Sequence, residues 1–299
     1  MTTTTPYRRS KAIASLLMSG ALTFQSVAYT QGTETGKSEQ GVQQGSKARA
    51  WKPKRLADGQ PDVQGFYRPQ HQGTYSLTNP RNGQDGKPDA DGQVRARPKR
   101  PSRIVDPADG EVPYQPWARI KQQYLRSNFE TPYKQEFIDP QARCLPGGVN
   151  RTQWWGESEI RQYPGVVIFL FQAAHRVVYL DGRPHIPNGI KLWMSDSRGH
   201  WEGSSLVIDT TNSNSKHRLS NEGDFASDKV HIRERFTFVN ANTYQYEATL
   251  TDPSVYTQPW TVSSLHLREH GDEPEWEAWE YGCIEGEKNS LNSMEGAAE

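Results

Sequence analysis

Val230-His-Ile-Arg-Glu-Arg-Phe-Thr-Phe-Val239 alternates along its length, and Val230, Ile232, Glu234, Phe236 and Phe238 fall on one face. A period of two over ten residues is the pattern of a half-buried strand. Asn240-Ala241-Asn242 supplies turn chemistry and leads into a second strand from Tyr244 to Thr251. The same texture extends in both directions. Val166 to Phe171 is a continuous apolar run after the Pro164-Gly165 turn, read as a strand buried on both faces. Arg176 to Leu180 precedes the Asp181-Gly182 turn, and Trp201 and Leu206-Val207-Ile208 flank Glu202-Gly203-Ser204-Ser205 in a hairpin arrangement. Trp260 to Arg268 and Trp276 to Cys283 predict two further strands. Many short strands joined by tight turns predict a mainly all-β chain, an antiparallel up-and-down barrel of the lipocalin type, with a β-sandwich as the alternative. Closure removes exposed edges.

The β domain is expected over 158–290. Before it, 51–157 reads as a loop-rich N-terminal region with one short helix near 116–128. There Trp117, Ile120, Tyr124 and Leu125 form an i, i+3, i+7, i+8 packing stripe behind Pro116. Residues 79–113 are rich in Asp, Gly, Pro and Arg. Asp85, Asp89 and Asp91 superficially resemble a calcium loop, but no Glu stands at the twelfth position, so a turn-rich surface loop is the better reading. Residues 29–50 read as a disordered linker and 291–299 as a disordered tail.

The N-terminus reads as an address. Arg8, Arg9 and Lys11 precede a short apolar core from Ala12 to Phe24, and Ser26-Val27-Ala28 offers small residues for cleavage. This is the form of a secretory signal peptide over 1–28, and the apolar stretch is short for a bilayer span, which takes about 20 residues. A periplasmic or secreted location follows, with no membrane span in the mature chain. Cys144 and Cys283 are the two cysteines. In an oxidising compartment they are expected to form one disulfide.

Composition narrows the partners. Hydrophobic residues make up 33 % and aromatics 10 %, with nine Trp and thirteen Tyr, so large rings must supply much of the core. Lys plus Arg and Asp plus Glu number 35 each, which gives no basic field for nucleic acid. The run Arg95-Ala96-Arg97-Pro98-Lys99-Arg100 sits among prolines and reads as a solvated loop.

Several segments combine into a recognisable set: Asp58-Gly-Gln-Pro-Asp-Val-Gln-Gly65, Cys144-Leu-Pro-Gly-Gly148, Tyr179-Leu-Asp-Gly-Arg-Pro-His185, Asp196-Ser-Arg-Gly-His-Trp-Glu-Gly203, Glu234-Arg-Phe236 and Glu280-Tyr-Gly-Cys283. On these motifs the chain, over roughly 55–290, resembles a widespread family of secreted bacterial proteins, most without an assigned activity. The resemblance implies export and a β-rich fold. Relatives usually place a His after the last Cys; here that position is Ile284, while Glu285 and Gly286 are kept.

Three places are candidates for chemistry. Residues two apart on a strand share a face, which groups His175, Val177, Tyr179 and Asp181, with Arg183 and His185 beyond the turn. Such a face either lines a cavity or is the solvent side of an edge strand. In a cavity, His175 and Asp181 would form an acid–base pair, since imidazole titrates near neutrality and a carboxylate orients it. Ser197-Arg-Gly-His-Trp201 is the second place. Arg198 can hold a carboxylate or phosphate, His200 and Trp201 can contact a ligand, and Gly199 can admit its close approach; alternatively Trp201 plugs the core. Glu234 is the third. An acid on an apolar face is either paired with an Arg on a neighbouring strand or kept for catalysis.

The eight histidines show neither HxH nor HExxH spacing, and a set such as His175, His185 and His200 would need assembly from different strands. No P-loop, GxSxG or GxGxxG motif occurs, so no cofactor is expected. Two functions are nearly level: an exported barrel binding a small, partly apolar molecule in an aromatic-lined cavity, and a cofactor-independent acid–base enzyme (isomerase, lyase or cyclase) using that cavity. An envelope interaction module without a cavity is the third.

Overall fold

A computed structural model describes residues 51–78, 101–271, 273, 275–278 and 282–283. The segments expected as a signal peptide (1–28), a linker (29–50) and a tail (291–299), and the Asp-rich and Arg-rich stretches within 79–100, lie outside the described residues.

The strands are β1 (Gly65–Pro69), β2 (Ile104–Asp106), β3 (Ser158–Tyr163), β4 (Val166–Phe171), β5 (Ala174–Tyr179), β6 (Asp196–Glu202), β7 (Ser205–Thr211), β8 (His231–Asn240), β9 (Thr243–Thr251) and β10 (Trp260–Glu269). The helices are α1 (Pro116–Arg126) and α2 (Gly148–Trp155). The sheet runs β1-β3-β4-β5-β6-β7-β8-β9-β10, and β10 pairs again with β1, so nine strands close into a barrel with β2 added beside β10. Closure answers the choice between barrel and sandwich in favour of the barrel.

One seam departs from the up-and-down expectation. β5 and β6 run parallel and pair only at Val178–Ser197 and Tyr179–Arg198. The Asp181-Gly182 turn therefore does not lead into a hairpin; residues 180–195 cross over before β6 begins. Parallel neighbours require such a crossover.

The alternation read from β8 is the alternation observed: Ile232, Glu234, Phe236 and Phe238 are buried. β4 is corrected. Val167, Phe169 and Phe171 are buried while Leu170 is exposed, because one side of a barrel wall faces solvent. The α1 stripe is also corrected. The helix buries Ala118, Gln122 and Leu125, while Trp117, Ile120 and Tyr124 are exposed. Trp117 instead donates from Nε1 to the Ser254 carbonyl at 3.1 Å and packs near Phe225. Described residues 276–278 and 282–283 are not in a strand.

The lumen is filled by rings. Tyr67 and Tyr244 lie 5.1 Å apart, Phe236 and Tyr246 4.9 Å, and Phe169 and Phe236 5.0 Å between centroids. Such offset and edge contacts add to the area that each ring buries. α2 packs against the lumen-facing side chains of β9 and β10: Asn150 Nδ2 donates to the Tyr246 hydroxyl at 2.9 Å, and Trp154 Nε1 to Ser264 Oγ at 3.2 Å. Gly148 opens this helix with φ +79, and a Cβ there would meet the buried His217 ring at 2.3 Å. Only glycine suits both demands. The Cys144–Cys283 disulfide is formed. Among the described residues no helix is long and apolar enough to cross a membrane.

Candidate functional site

β5 has two faces, and the barrel interior receives the one not singled out by sequence. Arg176 and Val178 are buried, whereas His175 is exposed and Val177 and Tyr179 are half-buried on the outer side. Arg176 reaches across the lumen to Glu234 on β8, three strands round the wall rather than on a neighbour. Arg176 Nη1 donates to Glu234 Oε1 at 2.9 Å, and Nη2 donates to Oε2. Arg176 Nε donates to Ser197 Oγ at 2.9 Å and Nη2 to Thr210 Oγ1 at 2.7 Å, while Tyr246 donates to Glu234 Oε1 at 2.9 Å. Burial, then the adjacent carboxylate, hold the Tyr246 hydroxyl well above its usual range. Every strong donor here meets an acceptor, so the network is a structural ion pair of the kind expected for Glu234, with a more distant partner.

Outside the wall, β5 and the segment before β6 separate from their two-residue seam. A groove of about 620 Å³ opens there. His175, Tyr179, Arg183 and Arg198 line it, so four of the residues proposed from sequence meet in one place. Ile186, Leu192 and Met194 add apolar wall, and Ser195 adds a buried polar group. The Tyr179 ring has the Arg183 guanidinium 4.1 Å and the Arg198 guanidinium 5.2 Å from its centroid. Ser195 is 91 % buried, and its Oγ has no hydrogen-bond partner. Buried hydroxyls are normally satisfied, which marks this one as open to a ligand.

The two arginines are anchored. Arg183 donates from Nε and Nη2 to Asp181, which holds that carboxyl below its usual range. Asp181 is thereby engaged by Arg183, and among the described contacts none joins it to His175. Arg198 donates from Nη1 to Asp196 Oδ1 at 2.7 Å and from Nε to the Pro184 carbonyl at 3.0 Å. A guanidinium has five N–H donors in a fixed fork. Each arginine keeps donors beyond those its anchors use.

His185 lies beside the groove and ties it to the wall. Its Nδ1 is 2.6 Å from Asp196 Oδ2 and its Nε2 is 2.9 Å from Asp209 Oδ1. His231 Nε2 meets the other Asp209 oxygen at 2.6 Å. Burial acts to raise the Asp209 carboxyl, but the hydrogen bonds from His231 and His185 outweigh it and hold the group below its usual range. With both nitrogens engaged, His185 is a tether for the crossover.

His200 and Trp201 are elsewhere. His200 is exposed and pairs with Glu202 at 3.0 Å, and Trp201 packs against the core while its Nε1 donates to Gln60 Oε1 at 3.2 Å. Gly199 serves packing: a Cβ would lie 2.8 Å from Val178 Cγ1 and 3.1 Å from the Val207 carbonyl oxygen.

Sequence reasoning missed Arg176 and Ser195. Arg176 was within reach: it has the same parity as Val178, as Glu234 has with Ile232 and Phe236, and two lone opposite charges on inward faces imply a pair. Ser195 gave no signal before the crossover was known. A wider depression of about 790 Å³ is lined mainly by polar and charged residues, Lys52, Lys54, Asp62, Arg268 and His270 among them, with Trp51 and Pro53 as its apolar part. Comparison with family models, curated proteins and solved structures returns no match for this chain.

Proposed function

We propose that this chain is an exported small-molecule-binding barrel whose ligand occupies the groove at the β5–β6 seam, and that the ligand is an organic anion with an apolar body. The observation that carries the reading is Tyr179 flanked by Arg183 and Arg198, beside apolar wall and the unpartnered Ser195 hydroxyl. Arginine forks suit carboxylates and phosphates, and a concave site with a few placed polar groups suits a small ligand. Aromatic rings pack the lumen, so the reading replaces the expected aromatic-lined cavity with a groove in the wall whose lining includes the Tyr179 ring. The leader over 1–28, the disulfide and the shared motifs support export and membership of the secreted bacterial family that the sequence resembles.

The test is thermal stability of the mature protein against amphipathic carboxylates and phosphates. A ligand at 100 times its Kd stabilises the native state by about 2.7 kcal/mol. Arg198→Ala and Ser195→Ala should each abolish most of the shift. A shift that neither substitution alters removes the ligand from this groove. Conversion of the bound compound that depends on His175 would assign the groove to the acid–base enzyme instead. Mass spectrometry of exported protein should give a start near Tyr29 and the loss of two protons for the disulfide.

A further inference from the structure

Closing the barrel through β1 sets the start of β3 beside the end of β10. Tyr67 pairs with Ser158 on one side and with Arg268 on the other. Glu157, Glu269 and His270 are thereby gathered, with one ligand atom of each within 4.8 Å of the others. His270 Nε2 lies 2.8 Å from Glu157 Oε2 and 4.0 Å from Glu269 Oε2.

We infer that Glu157, Glu269 and His270 form a binding site for a first-row divalent cation, with Zn²⁺ the best match. The inference rests on which atoms are taken and which converge. Glu157 Oε1 accepts from Trp276 Nε1 at 3.2 Å, leaving Oε2 toward His270. Glu269 Oε1 accepts from Arg68, leaving Oε2 toward the same point. His270 Nδ1 is 3.3 Å from Glu273 Oε1, which directs Nε2 inward, and Trp276 stacks on the imidazole at 3.6 Å between centroids. Each of the three residues thus has its other polar atom held by a neighbour. That is the outer arrangement that orients metal ligands, including the carboxylate behind the histidine. Tetrahedral Zn–N and Zn–O bonds of about 2.0–2.2 Å put neighbouring ligands roughly 3.3–3.6 Å apart, and the distances of 2.8 and 4.0 Å bracket that range.

Charge points the same way. Within ion-pair distance, three carboxylates, Glu157, Glu269 and Glu273, share one guanidinium, Arg68, and one imidazole; Lys52, Lys54 and Arg268 stand further off, in the depression that His270 also lines. In the groove, by contrast, each carboxylate has its own cation. The side chains of Glu157, Glu269 and His270 are 14 %, 22 % and 16 % exposed, enough to admit an ion but not to solvate three charges freely. One imidazole with two carboxylates favours Zn²⁺ over Ca²⁺ or Mg²⁺, which prefer all-oxygen shells. Three protein ligands leave a fourth position for water or a small anion. The site uses none of the groove residues, so it stands apart from the reading above.

The experiment is calorimetric titration of Zn²⁺ into the untagged, disulfide-bonded mature protein after chelator treatment, with Co²⁺ absorption in the visible range as a second readout. One ion per chain is expected. His270→Ala and Glu157→Gln should weaken it by about 100-fold or more, and Glu273→Gln, an exposed change that leaves the fold intact, by about 10-fold. Absence of stoichiometric uptake of Zn²⁺ and Co²⁺ by the wild-type chain would overturn the inference. So would wild-type affinity in both His270→Ala and Glu273→Gln.

Discussion

The barrel carries charged side chains in two settings, on opposite sides of β5. On the inner side, Arg176 and Glu234 are 2 % and 0 % exposed and hold one another with three hydroxyl groups around them. On the outer side, Arg183, Arg198 and His185 are anchored by carboxylates, yet the groove between them is open to solvent. Burying two charges is costly, and the attraction between them offsets this only when the remaining donors and acceptors are satisfied. The inner pair meets that demand and so has nothing left for a ligand. The outer set ranges from the half-exposed Arg183–Asp181 pair to the more buried Arg198–Asp196 pair, and its arginines retain donors. Spare valence, more than charge, separates a structural pair from a binding surface.

The sharpest break of this comparison is on the inner side. Glu234→Gln leaves a buried guanidinium without its counter-charge and should lower stability by about 3–5 kcal/mol, read from the urea midpoint at unchanged slope. The double change Arg176→Met with Glu234→Leu should recover most of that loss. If Glu234→Gln is silent, water already solvates the pair and the contrast fails.

Acid should act on the interior before the groove. Burial lowers His266 to about 3, and burial with nearby Arg151 lowers His217 to about 4. Both stay neutral in the folded chain while the unfolded chain protonates them below about pH 6.5. Stability is therefore lost as pH falls from about 6.5, at roughly 1.4 kcal/mol per pH unit for each histidine, down to its folded value. Asp224 and Glu222, raised by burial, work in the opposite direction. Comparing wild type with His266→Gln between pH 6.5 and 4.5 isolates the term: the variant should show the shallower slope. Equal slopes would mean His266 is not buried as neutral imidazole.

The seam between the two settings is tested by Gly199→Ala. The added methyl meets Val178 and the Val207 carbonyl oxygen, and the backbone oxygen yields little. A loss of about 1–3 kcal/mol is expected, together with weaker ligand binding, because the groove begins where β5 and β6 part. The smallest stability effect belongs to Arg183→Ala. Its pair with Asp181 is about half exposed, and exposed ion pairs contribute little to stability, so thermal stability should barely move while affinity for an anionic ligand falls about 10-fold or more. A large stability loss here would make Arg183 a structural residue like Arg176.

Reading the sequence found β8 because its apolar residues and Glu234 share one parity over the whole strand. It did not assign β5. His175, Val177 and Tyr179 on one face and Arg176 and Val178 on the other are about equally polar, so period two is visible but its phase is not. The phase is set by Glu234, 58 residues away in sequence. The groove residues were found individually for their chemistry, yet their meeting depends on the crossover and the short parallel seam. The apparent hairpin turn at Asp181-Gly182 concealed both. In α1, Trp117, Ile120 and Tyr124 gave an apolar stripe that solvent faces, because the surface beneath the helix accepts Ala118, Gln122 and Leu125 instead.

By itself the sequence determined that this is a chain of short strands, which residues of β8 face inward, and that two cysteines were available to bridge. These follow from local periodicity and from a count. Only the tertiary structure decided that β1 closes the barrel against β10, that Arg176 lies inside and Tyr179 outside, and that Glu157, Glu269 and His270 meet. Each depends on partners brought together by strand pairing across long separations, and no local pattern records which distant residue will complete a charge, a wall or a ligand set.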